Sequence, residues 1–148
     1  MHISKIHFEN SNVFSKQAKF DIVKNYHYPG FNKASTMAHK LSHALEYDMV
    51  LKEFGLKIQK MPIETARKVV DKFKSHSIAT SIKKEALKSM GLPEYGRETY
   101  NSLKKLGRYS MENNGEFFAE AMSDALMSKN PQEISKKVLE ITRKRLGE

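Results

Sequence analysis

The chain has 148 residues, 39% of them apolar, and 26 Lys plus Arg against 17 Asp plus Glu give it a net charge of +9, which fits one basic domain, 1–148, around a single core. No apolar run approaches the ~18 residues that cross a bilayer, and MHISKIHFENSNVF lacks the parts of a secretory signal, so neither export nor a membrane partner is expected. There is no cysteine, which excludes disulfides, thiol catalysis and thiolate metal sites and leaves His, Asp and Glu to hold any transition metal.

Residues 1–33 carry short apolar pieces, Ile3, Ile6 and Phe8, then Phe20, Ile22 and Val23, broken by Asn, Ser and Asp and closed by Pro29-Gly30. This pattern predicts short strands and loops. From Ala34 the period becomes helical. Ser35 and Thr36 offer N-caps, Met37, Leu41, Ala44, Leu45 and Leu51 recur at three-to-four spacing, and Gly55 is a stop, which predicts a helix over 34–54. A second helix starts at Pro62 and runs to Lys74 with Ile63, Ala66, Val69, Val70 and Phe73 inward. A third spans about 78–90 on Ile78, Ile82, Ala86 and Leu87 and ends at Gly91.

Leu92-Pro93 breaks the chain, and 94–106 carries a weaker helical pattern closed by Gly107. RYSMENNG, 108–115, reads as a loop. A strong helix over 116–128 follows, with Phe117, Phe118, Ala121, Met122, Ala125 and Leu126 apolar, then Asn130-Pro131 opens a last helix over 131–146 on Ile134, Val138, Ile141 and Leu146. The expected fold is mainly α within an α+β class, its β contribution confined to the N-terminus.

His39 and His43 lie four apart on the first helix, so both imidazoles project from one face and can share a metal ion. Two such histidines on a basic helix also occur as ordinary surface or core residues, so a third ligand is needed. The candidate is Glu116 in GEFFAEAMSDAL, 115–126, which shares a helix face with Glu120. Periodicity alone reads the same two acids as the solvated side of an amphipathic helix.

HKLSHALEY, 39–47, followed by Tyr109 and then GEFFAEA, 115–121, resembles the lethal-factor-like zincins, the metallopeptidase family of anthrax toxin lethal factor, many of which occur in phage and prophage minor head proteins. The resemblance implies a zincin-like single domain in which His39 and His43 are zinc ligands and Glu116 is the carboxylate ligand. Glu120 would orient a ligand from behind, and Tyr109, seven residues before Glu116, would aid the oxyanion. It also implies a cytoplasmic or virion-associated protein that meets a peptide or a phage structural protein.

The family's motif has Glu directly after the first His, where it takes the proton of the attacking water. Here that residue is Lys40, and Ser42 replaces the usual Gly before the second His. A protonated amine accepts no proton, and its charge disfavours a neighbouring dication. A neutral Lys40, Glu46 or Glu120 are the available substitutes, and Glu46 starts a turn away from the expected water. The resemblance therefore implies a degenerate peptidase with a binding or structural role, with an active zinc peptidase using an unusual base as the alternative.

A third possibility is a basic module for nucleic acid or an acidic virion protein. Lys72/Lys74, Lys83/Lys84/Lys88, Lys104/Lys105/Arg108 and Lys136/Lys137/Arg143/Lys144/Arg145 could form such a footprint, or simply solvate helix faces. His27, in NYHYPGFN, precedes the motif helix and is read as cleft-lining or as packing. No phosphate-binding Gly-rich loop or nucleophilic triad is present.

Overall fold

The computed structural model describes residues 26–55 and 61–148. Its described elements are α1 (Lys33–Glu53), α2 (Ile63–Lys74), α3 (Ser77–Ser89), α4 (Arg97–Lys104), a 3-10 turn (Arg108–Met111), α5 (Asn114–Met127) and α6 (Glu133–Leu146). The strands expected on Ile3–Val23 lie outside the described residues; residues 26–32 form bends and a turn, and no strand occurs among the described residues. No described helix is long and apolar enough to cross a membrane.

α5 is the axis of the fold. Phe117, Phe118, Ala119, Ala121 and Met122 are buried around its whole circumference, as expected of a helix enclosed by others. α1 packs along one side, α3 and α6 along others, and the 3-10 turn closes its N-terminal end. Val50, Leu51, Val69, Ile78, Ile82, Leu87, Leu106, Ile134 and Val138 complete the core.

Several sequence expectations are corrected. α1 is capped by Asn32, whose Oδ1 accepts from the N–H of Ala34 at 2.9 Å and of Ser35 at 3.2 Å, so Ser35 and Thr36 already lie inside the helix. The inward face of α1 is Ser35, Ala38, His39, Ser42, Glu46, Met49 and Val50; Met37 and Leu41, members of its apolar repeat, are 38% and 60% exposed. Ile63 and Val70, read as inward, are 67% and 38% exposed, and Leu126 of the α5 apolar pattern is 51% exposed. The expected loop at 108–115 is the 3-10 turn plus the start of α5, because Asn113 caps α5 by accepting from Glu116 N–H at 2.9 Å. The 94–106 helix is trimmed to α4, and the last helix opens at Glu133; there Gln132 N–H donates to Asp124 Oδ2 at 2.8 Å, so α5 itself anchors the start of α6.

Candidate metal centre

The long face of α1 that meets α5 is polar where apolar side chains would ordinarily interlock. His39 and His43 descend from α1, and the Asn113 cap sets Glu116 in the first turn of α5, where the helix N-terminus favours a carboxylate. Glu116 Oε2 lies 3.0 Å from His39 Nε2 and 3.2 Å from His43 Nε2, and the two Nε2 atoms are 3.2 Å apart. Ligand atoms about 2.0–2.1 Å from one tetrahedral ion stand roughly 3.3 Å from each other. The triangle therefore fits a single zinc-sized cation, and the three residues form a group that could hold a metal ion.

The shell behind the triangle supports the same orientation. Glu120, fully buried, places Oε1 2.8 Å from His27 Nδ1 and 2.9 Å from His39 Nδ1, the latter off the line of the ring N–H. A carboxylate beside Nδ1 favours a proton there, which would free Nε2 of His39 to ligate an ion held between Glu116 and His43. Among the described residues Glu120 Oε2 is buried without a hydrogen-bond partner, and the contacts of the carboxylate there are the two histidines. His27 is both cleft support and packing: besides holding Glu120 it stacks on Phe31 at 3.9 Å. Replacing Glu120 by Gln is expected to weaken zinc binding about 10–100-fold, measured by competition with a chromophoric chelator; unchanged affinity would leave Glu120 as packing.

The charges interact as the geometry dictates. Burial alone would raise the Glu116 carboxyl, but the hydrogen bonds and charges of His39 and His43 hold it well below the usual carboxylate range. Burial would lower His39, and Glu116 and Glu120 outweigh it, so its imidazole sits above its ordinary value. Tyr109 is raised by burial and by the neighbouring Glu116 charge. Its ring stacks on that of His39 at 5.6 Å and leans on Tyr26 at 5.0 Å, so Tyr109 stands beside the triangle. Lys40 lines an open cleft of about 560 Å³ with His43, Ala44, Tyr47, Phe73, His76 and Glu116.

Two further groups meet in this region: Glu46, weighed in the sequence as a substitute base, and His76, which the sequence reading does not single out. Glu46, fully buried, lies 3.3 Å through Oε1 from His76 Nδ1, and its Oε2 is 3.4 Å from the same atom. Burial pushes its carboxyl up against the opposing charges of His76 and His43. His76 falls in the turn between α2 and α3, where no periodicity applies. The basic clusters, in contrast, are interleaved with acids: Arg145 meets Glu85 at 2.8 Å, Lys137 meets Glu140 at 3.0 Å, and Lys84 meets Glu94 at 3.2 Å.

Compared with protein-family models, curated proteins and solved structures, the chain finds no match.

Proposed function

We propose that the protein is a lethal-factor-like zincin domain of phage or prophage origin that holds zinc on His39, His43 and Glu116, with the family's glutamate-driven peptide hydrolysis impaired by Lys40. Its role is then to bind a peptide or a virion protein in the cleft. The observation that carries this reading is the convergence of three donor atoms, 3.0–3.2 Å apart, from the two motif positions and the downstream Glu helix. Glu120 at 2.9 Å from His39 Nδ1 and Tyr109 stacked on the His39 ring support the reading.

A specific observation favours the second reading, an active enzyme with an unusual base: the cleft contains a histidine, His76, backed by a buried carboxylate.

The deciding experiment is elemental analysis of protein purified without a metal-affinity tag. About one zinc per chain is expected, and none in a His39→Ala, His43→Ala variant of unchanged helicity. No zinc in the wild type after incubation with a modest excess would end the proposal. Protons compete with zinc for the His39 Nε2 lone pair. Because Glu116 and Glu120 raise His39 above its ordinary value, the zinc affinity should begin to fall on acidification at a higher pH than an unperturbed imidazole ligand would give, measured by chelator competition across pH.

A further inference from the structure

The cleft that Lys40 lines also holds an unusual arrangement around His76. His76 is the one described non-glycine residue with positive φ, at φ 50 and ψ 34, a left-handed conformation that L side chains seldom adopt without a reason supplied by their surroundings. Its ring is seated in a notch made by Gly115. A Cβ on Gly115 would stand 2.3 Å from Cε1 and 2.4 Å from Nδ1 of His76, so only glycine at that position admits the ring. Gly115 immediately precedes Glu116, and His76 lines the same cleft as His43, Glu116 and Lys40.

The second half of the arrangement is Glu46, from α1, one turn beyond His43. Its carboxylate is buried and reaches His76 Nδ1 with both oxygens. A buried carboxylate is costly unless it has a strong partner, and here the partner is the cleft histidine. The contact favours a proton on Nδ1 and leaves Nε2, which lies beside Gly115 next to Glu116, as the acceptor nitrogen, the same orientation by which a carboxylate prepares a histidine for proton transfer elsewhere. Phe73, with its ring 5.8 Å from that of His76, and Tyr47, 5.4 Å from Phe73, wall the pair on its apolar side.

We propose that His76, held by Glu46, is the proton-transfer group of this cleft and takes the place of the glutamate that Lys40 displaces, acting on peptides. The inference rests on the zinc reading above. Zinc held on the triangle would supply Lewis-acid polarisation of the scissile carbonyl. His76 Nε2 accepts a proton from the attacking water as its oxygen bonds to the carbonyl carbon. The same proton then passes to the amine nitrogen as the C–N bond breaks, so one peptide and one water give one acid and one amine. Glu46 is a positioning residue: it keeps the Nδ1 proton in place and balances the imidazolium that forms between the two transfers. Lys40 takes no part in either transfer.

The test combines cleavage of an equimolar library of unstructured decapeptides, read by mass spectrometry, with zinc content and long-range 15N spectra of the histidines in the zinc-loaded protein. Wild type should cleave slowly, with His76 as the Nδ1–H tautomer and its Nε2 not bound to metal. His76→Asn, chosen because Asn tolerates the left-handed backbone, should keep about one zinc per chain and lose about tenfold or more of the cleavage. Glu46→Gln should keep zinc, lose a similar factor and shift His76 toward the Nε2–H tautomer, which a purely structural role would not move. Gly115→Ala, which retains both groups but dislodges the ring, should reproduce the loss. The proposal is overturned if His76→Asn cleaves like wild type, if it sheds the zinc and so reveals a ligand, or if zinc-loaded wild type cleaves nothing. That last outcome leaves the zinc reading standing, whereas a wild type that binds no zinc removes both.

Discussion

Lys40→Glu should raise peptide cleavage by about 10²-fold over wild type, at the low end of what a positioned general base contributes. The residue follows His39 directly and lines the cleft beside His43 and Glu116, so a carboxylate there would restore the glutamate of the zincin motif that the sequence resembles. Two effects act together. The substitution supplies a proton acceptor, and it replaces a positive charge next to a dication site by a negative one, which favours zinc. The expected gain is at the low end because His76 already provides one route for the proton. Initial rates on the decapeptide library, with and without a chelator, measure it. A zinc-loaded Lys40→Glu protein no faster than wild type would show that the cleft does not position substrate as the zincin resemblance implies.

Phe118→Ala should cost about 3–5 kcal/mol, the range for a large core truncation that leaves a cavity. Phe118 is fully buried on α5, the helix around which α1, α3 and α6 pack, so no surface rearrangement can refill the space. Against a total stability of about 5–15 kcal/mol, that loss leaves a small folded margin and lowers the thermal midpoint by roughly 6–20 °C. Leu126→Ala on the same helix is the contrasting case. Leu126 is 51% exposed, so its loss should fall within about 0.5 kcal/mol. Urea unfolding of both variants checks the pair, and equal costs would contradict the packing described for α5.

Much of the helical layout was readable from the sequence because α3, α5 and α6 bury apolar stripes with a regular period: Ile78, Ile82, Ala86 and Leu87, then Phe117, Phe118, Ala121 and Met122, then Ile134, Val138 and Ile141. The spacing of His39 and His43 likewise sufficed to place them on one face. The reading failed on α1 for the reason that makes α1 interesting. Its inward face carries Ser35, His39, Ser42 and Glu46, and apolar periodicity instead selected Met37 and Leu41, which face outward. A residue that is buried because it has a partner, not because it is apolar, becomes legible only when the partner is known. The sequence names Glu120 and Glu46, but their burial is explained only by His27 and His39 for the first and by His76 for the second. His76 itself depends on a glycine notch 39 positions away in sequence, Gly115, a relation that no local pattern records.

The polar seam between α1 and α5 also governs how the two helices may slide. Apolar interfaces tolerate slippage, since one methyl-bearing side chain substitutes for another with modest loss. Here a shift of α1 by one turn, about 5.4 Å, would leave at most one of His39 and His43 against Glu116 and take the fully buried Glu46 from His76. A buried carboxyl without its partner is among the more heavily penalised errors a folding chain can make. The seam therefore works as a detent with one stop: partly assembled chains that bring α1 and α5 together out of step are rejected by the same side chains that give the finished cleft its chemistry.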